Sequence, residues 1–288
     1  MKYFYNFTDL RIPDEDLKKL CLTEIKKLLR TNGRSLKDYK SMPKPDFSTM
    51  DAMGNKFIVD QVNYDKGVME RLHTELTTKL TIEQKAVHDQ IVSSVESGSG
   101  GFFFLYGYGG TDKTFIWNTL SAGLRSKGFI VLNIASSGIA LLLLPGGRTT
   151  HSSLNIPIEI NEASNCTIDK QDPKAFLFRK TKLIIWDEAP MMHRYYFEAF
   201  DRSMRDIMSY DGVDNTHKPF GGLTVVLGGD FRQILLVVRK GSREDILAAT
   251  VNASKLWKYC KVLKLTNNMR LRGSPNVEEQ HDIKQFAD

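Results

Sequence analysis

Phe102-Phe103-Phe104-Leu105-Tyr106-Gly107-Tyr108-Gly109-Gly110-Thr111-Asp112-Lys113-Thr114 is the stretch on which the fold turns. An unbroken apolar run at 102–106 is the pattern of a strand buried on both faces. The glycine-rich turn after it leads into a helical pattern over 113–126, which makes a strand–loop–helix unit. Residues 107–114 match the phosphate-loop pattern G-x-x-x-x-G-K-[ST] except at Asp112, where the pattern has glycine. In such a loop, small residues let backbone N–H groups converge on phosphate oxygens, and the helix N-terminus adds positive potential. A lysine reaches the outer phosphates and a hydroxyl holds Mg²⁺. Lys113 and Thr114 supply these two groups, and Gly107, Gly109, Gly110, Thr111 and Asp112 form the cradle. A glycine-rich turn before a helix is also ordinary punctuation, so the segment gains meaning only from its neighbours.

Further apolar runs lie at 129–134, 183–186, 223–227 and 262–265, with helical patterns at 82–96 and 193–208. Strands alternating with helices predict a mainly parallel sheet covered on both faces, with ligands at the carboxyl ends of the strands. Upstream the texture differs. Leu17, Leu20, Cys21, Ile25, Leu28 and Leu29 make an apolar stripe on a helix over 14–31, a linker follows at 41–55, and a second helical stretch covers 57–79. The expected organisation is a mostly helical region and linker over 1–79, followed by an α/β domain over 80–288.

Composition sets the bounds. A chain of 288 residues has room for about two domains. Its 41% hydrophobic and 26% charged residues exclude a wholly disordered chain. The net charge of +6 permits a polyanionic partner without demonstrating one. The apolar runs fall well short of the roughly 18 residues of a helical membrane span, so no membrane partner is expected. The N-terminal residues lack the features of a signal peptide, and three scattered cysteines suit a reducing, intracellular setting. Neither cysteines nor histidines show metal-ligand spacing.

Three more elements carry chemistry, each after an expected strand. Leu183-Ile184-Ile185-Trp186 runs into Asp187 and Glu188. Buried acids at a strand end are expensive unless they meet a cation or the surface; in nucleotide hydrolases the first holds Mg²⁺ and the second polarises water. The plainer reading is a helix start with acids in its first turn. Gly228-Gly229-Asp230-Phe231-Arg232-Gln233 places Gln233 where it can orient water or sense a γ-phosphate, and Asn267-Asn268-Met269-Arg270 offers an arginine to neutralise charge on a transferred phosphoryl group. The plainer readings are an ordinary Gly-rich turn at 228–233 and a surface arginine at 270, and the ordered set carries the argument.

The set resembles PIF-type DNA helicases of the RecD-like branch of superfamily one, and its wording is similar to plant copies associated with Helitron transposons. The residues concerned are Leu80-Thr81-x-x-Gln84, the phosphate loop, Ala135-Ser136-Ser137-Gly138-Ile139-Ala140, Gly147-Arg148-Thr149-Thr150-His151-Ser152, Asp187-Glu188-Ala189-Pro190, Gly228 to Gln233, and Asn268-Met269-Arg270. The resemblance implies a RecA-like phosphate-loop domain and an ATP- and Mg²⁺-dependent motor moving 5′ to 3′ on single-stranded or forked DNA, with a nuclear location. It also implies that Gln84 reads adenine, Lys113 and Thr114 hold phosphates and Mg²⁺, Asp187 and Glu188 hold metal and water, and Gln233 and Arg270 meet the γ-phosphate. Ser137, Gly138 and His151 fall in motifs that line DNA.

Three departures stand out. Asp112 replaces the loop glycine, Leu236 stands where proline is usual, and only 18 residues follow Arg270, so a second RecA-like domain is expected to be absent. An aspartate at position 112 can cap its own helix, occupy the phosphate's place or draw Lys113 away, so an impaired ATP site is expected. Two alternatives remain at this stage: a degenerate module that holds single-stranded DNA or nucleotide without turnover, and another phosphate-loop phosphotransferase.

Overall fold

The structure is a computed structural model that describes residues 55–157, 159–210, 212–233, 238 and 241–269, together with 22, 25 and 39. Of the helix expected over 14–31, only Leu22 and Ile25 are described, both helical; the rest of it, most of the 41–55 linker, Leu236 and Arg270 lie outside the described residues. The chain divides into two compact units, 1–60 and 61–288, and the chemistry-bearing motifs all belong to the second.

The stretch expected as one helix over 57–79 is two, α1 (Lys56–Val62) and α2 (Lys66–Thr78). The break falls where the Asp65 carboxylate accepts from the Val68 N–H and so caps a new helix. In α3 (Ile82–Ser97), Thr81 and Gln84 form a reciprocal capping box, and Gly98 at φ 65° ends the helix in the left-handed conformation that glycine adopts without steric cost.

The α/β elements follow as β1 (Gly101–Tyr106), α4 (Lys113–Ser126), β2 (Ile130–Ala135), α5 (Gly138–Leu142), β3 (Arg148–Thr149), α6 (Thr150–Leu154), α7 (Pro173–Lys180), β4 (Thr181–Asp187), α8 (Arg194–Met208), β5 (Thr224–Gly229), α9 (Arg243–Ala249) and β6 (Lys261–Lys264). The strands form one sheet in the order β3-β2-β4-β5-β1-β6, and every pair is parallel. Tyr106 is level with both Gly229 and Lys264, and Ala135 with Asp187, so the carboxyl ends share one edge.

Alternating residues serve opposite faces. Phe103, Leu105, Val131, Leu183, Ile185 and Val226 pack against Val87 and Ile91 of α3 and Ile116, Trp117 and Leu120 of α4. On the other face Trp186 meets Phe197 at 4.6 Å between ring centroids, and Phe104 meets Phe231 at 4.8 Å and Trp257 at 5.4 Å. Fully burying each such side chain contributes roughly 1.5–3 kcal/mol. Two buried polar side chains join α4 to the loop after α5. Asn133 Nδ2 donates to Ser121 Oγ (3.0 Å) and Pro145 O (2.9 Å), while Arg125 donates to Pro145 O (3.1 Å) and Val131 O (3.0 Å).

Helix α2 lies on α4, and its His73 stacks on His88 of α3 with the two Nε2 atoms 3.4 Å apart. One ring must donate and the other accept, which requires a neutral imidazole. Burial, His88 and Lys127 all lower the His73 pKa, so the fold favours the neutral ring. Its contribution is therefore present above the ordinary histidine value and is lost as pH falls through that value toward the lowered one. The urea midpoint of the chain should drop between about pH 7.5 and pH 5.5 more than that of His73→Gln does; equal drops would show that the pair does not titrate in this way.

Candidate functional site

The loop after β1 is a tight turn held from within. A Cβ at Gly107 would run into Thr111 Oγ1, and that hydroxyl donates to Tyr108 O at 2.9 Å. Gly110 sits at φ 93°. Lys113, first residue of α4, folds back so that Nζ donates to Gly107 O at 2.5 Å, and Thr114 beside it is half-buried. Asp112 adopts φ 58° and ψ 45°, the left-handed conformation that glycine takes freely and aspartate tolerates better than most residues. Its exposed side chain makes no cap bond, and Lys113 turns to Gly107 O rather than to it. Self-capping and pairing with Lys113, both expected from the sequence, are thus corrected. A capping side chain bonds the first-turn amides from an extended backbone, which φ 58° precludes.

Strand β4 delivers Asp187, and Glu188 follows at φ 52°. Asp187 is buried; neither its Oδ1 nor Glu188 Oε2 has a hydrogen-bond partner. Burial pushes the Asp187 carboxyl up, against the nearby Trp117 indole N–H, the Glu188 backbone N–H and Lys113, which pull it down. The indole faces the acid without reaching full hydrogen-bond geometry. Glu188 is raised by burial and by the charges of Asp187 and Asp230, and lowered by Lys113. Buried carboxylate oxygens without partners are costly. A divalent cation would satisfy them, so this donor set fits Mg²⁺, with Asp187 and Thr114 as its candidate holders.

After β5, Asp230 is buried; its Oδ1 accepts from Arg232 N (2.9 Å) and its backbone O from Gln233 N (3.2 Å). Gln233 Nε2 would stand 3.1 Å from a Cβ on Gly109, which places this side chain against the phosphate loop. Gln84 is buried beneath the same loop: its Oε1 accepts from Thr81 N (3.1 Å) and its Nε2 donates to Thr111 O (3.3 Å). Beyond β6, Tyr108 Oη donates to Thr266 O (2.6 Å) and Met269 N to Gly110 O (2.7 Å).

The fold thus gathers Gln84, Lys113, Asp187, Glu188 and Gln233 around residues 107–112. Ser137, Gly138 and His151 lie farther along the same edge, after β2 and β3. Ser137 Oγ caps α5 by accepting from Ala140 N, Gly138 opens onto free space, and the exposed His151 meets the Tyr196 ring edge-on at 5.4 Å. Ser136 links the two regions, since its N–H donates to Asp187 O (3.1 Å) and its Oγ accepts from Trp186 Nε1 (3.0 Å). Reading the sequence alone missed Glu83, Tyr108, Trp117 and Asp230 as parts of this edge. Tyr108 and Asp230 carried a signal, their places inside the phosphate-loop and Gly-Gly-Asp-Phe-Arg-Gln motifs; Glu83 and Trp117 carried none. Among the described residues, no group of three or more His, Cys, Asp or Glu has the arrangement of a metal cluster, and no helix is long and apolar enough to cross a membrane.

A profile of the PIF1-like helicase family matches residues 79–288. The Saccharomyces cerevisiae ATP-dependent DNA helicase RRM3 is 32% identical over 217 residues, which are 71% of this chain and 27% of that protein. The Psychrobacter ATP-dependent DNA helicase Pif1 is 30% identical over 184 residues, 63% of this chain and 27% of that one. Among solved structures, Bacteroides Pif1 bound to single-stranded DNA superposes with a TM-score of 0.53 at 24% identity, covering 71% of this chain and 48% of that one, a likeness of fold. The chain spans just over a quarter of the two curated relatives' lengths and about half of the solved chain.

A Cβ at Gly228 would lie 2.5 Å from Trp117 Cζ2 and 3.0 Å from Asp187 Oδ1, both immobilised by burial. Gly228→Ala should therefore cost about 1–3 kcal/mol in denaturant unfolding. Gly138→Ala, into open space, should change stability by less than about 0.5 kcal/mol. Similar values for both would show that the acid turn tolerates displacement.

Proposed function

The chain belongs to the PIF1-like helicase family, and from that premise we propose that residues 80–288 are the RecA-like nucleotide-hydrolysing part of an ATP-dependent DNA helicase. We further propose 5′-to-3′ movement on single-stranded or forked DNA and an ATP site weakened by Asp112. The observation that carries the reading is the convergence, at one edge of a parallel sheet, of Lys113 on the buried Asp187 and the half-buried Glu188, whose oxygens Asp187 Oδ1 and Glu188 Oε2 lack partners.

In this reading the loop amides and Lys113 bind the phosphates, Lys113 leaving Gly107 O as they enter. Thr114 and Asp187 would hold Mg²⁺, which when bound would neutralise phosphate charge. Glu188 takes the proton of the attacking water as its oxygen bonds to the γ-phosphorus and the bond to ADP breaks. Gln233 orients that water and Arg270 balances charge on the moving phosphoryl group. Gln84 supports the loop from below and reads adenine only if its bond to Thr111 O opens. The exposed ring of His151, with Ser137 and Gly138, offers a surface on which bases stack and a backbone rests. Support for a DNA partner comes from the Bacteroides Pif1 relative, which is known bound to single-stranded DNA.

Asp112 opposes the phosphates electrostatically. A unit charge pair about 4 Å apart is worth roughly 4 kcal/mol at an effective dielectric of 20, and exposure with Mg²⁺ reduces this to a cost of about tenfold in affinity. MgATP should bind weakly to the unaltered chain, about tenfold more tightly to Asp112→Gly, and not measurably to Lys113→Ala. Equal affinity in the first two would clear Asp112, whereas undiminished binding by Lys113→Ala would remove the phosphate site. ATP hydrolysis with and without single-stranded DNA then separates an enzyme from a module that only binds.

A further inference from the structure

Glu83, in the first turn of α3, reaches a segment 183 positions away in the sequence. Its Oε1 accepts from Thr266 N (3.0 Å) and Thr266 Oγ1 (2.9 Å), and its Oε2 accepts from Thr266 N (3.0 Å), Asn267 N (3.3 Å) and Asn267 Nδ2 (3.2 Å). Burial pushes this carboxyl up, but the bonds from Thr266 and Asn267 outweigh it and hold the group below its ordinary value. Charge-assisted bonds of this kind are among the stronger ones in proteins. The neighbouring Gln84 grips the phosphate loop at Thr111 O, while Tyr108 and Gly110 of that loop bind Thr266 and Met269 in turn. One helical turn thus holds both the loop and the segment that leads directly into Arg270.

We propose that Glu83 is a positioning residue that latches residues 266–269 onto the phosphate loop and so fixes the chain immediately before Arg270, the residue read above as meeting the γ-phosphate. This rests on the nucleotide reading above. The side-chain bonds that Glu83 accepts come from Thr266 and Asn267 and not from the phosphate loop, so its loss should spare ADP binding and blunt the response to the third phosphate.

The test uses the whole chain and two variants. Glu83→Gln keeps the length of the side chain but presents a donor where an acceptor is needed; Asn267→Ala removes one donor from the other side. In both, amide exchange at 266 and 267 without nucleotide should quicken, by about tenfold in Glu83→Gln, while the β1 amides stay protected. With Mg²⁺, ADP affinity should stay within about twofold, and the preference for ATPγS over ADP should fall about fivefold or more. Unchanged exchange at 266 and 267 would overturn the latch. Equal weakening of ADP and ATPγS would reduce Glu83 to a structural role. Failure of the unaltered chain to bind either nucleotide would fell the phosphate-site reading and the positioning role with it, and the exchange data would show whether the latch itself exists.

Discussion

Strand β1 is hydrogen-bonded on one side to β5 and on the other to β6, all pointing the same way. From that pairing the working edge follows. Parallel strands deliver every following turn to the same edge, so the phosphate loop, the Asp187-Glu188 turn, the Asp230–Gln233 turn and the 265–269 segment meet without any long excursion of the chain. Strand β5 separates β1 from β4, and two spacings of about 4.8 Å leave a gap of roughly 10 Å between the loop and the acids. Gly228 and Gly229 floor that gap, and the contacts a Cβ would make there with Trp117, Asp187 and Pro190 show why side chains are absent from it.

The electrostatics of this edge are unbalanced. Among the described residues, Asp187, Glu188 and Asp230 place three carboxylates near the Lys113 ammonium, Arg232 pairs with Asp230 at 3.5 Å, and Asp112 adds a fourth carboxylate at the loop. Burial makes the imbalance expensive, because water cannot spread the charge. Phosphates entering without a cation would add to the excess; phosphates entering with one would relieve it. Among the described residues, that surplus of acid favours a cation over a bare anion at this edge, a property of the fold's own charges rather than of any one motif.

Strands β1, β2, β4 and β5 were legible because they are buried on both faces, and the apolar runs at 102–106, 129–134, 183–186 and 223–227 map onto them to within two residues; the run at 262–265 marks β6, an edge strand of which only Leu263 is buried. Helix α4 is matched at both ends, since Lys113 opens it and the apolar spacing persists to Ser126. Strand β3 was not legible: two exposed residues, Arg148 and Thr149, hold no hydrophobic signal, and pairing with β2 alone makes them a strand. The helix expected over 57–79 broke because one aspartate, Asp65, found an amide to cap. At the site, residues that belong to contiguous motifs were found in the sequence, whereas Glu83 and Trp117 matter only through partners distant along the chain. The behaviour of Asp112 lay between these cases: its oddity was plain from the pattern, but its direction depended on φ, which a residue name does not carry.

The sheet order has a consequence for synthesis. Strand β1 is made early, yet both strands that flank it come late, and β6 ends at Lys264, 158 residues after Tyr106. At ribosomal rates of about 5–20 residues per second, β1 waits roughly 8–30 seconds for its last neighbour. Until β5 emerges, β2 and β4 can pair, while three consecutive phenylalanines at 102–104 have no ladder to join. The loop after β1 can therefore settle only once both neighbouring strands are made, and a chaperone that shields the nascent Phe102–Tyr106 stretch would guard the step on which the whole working edge depends.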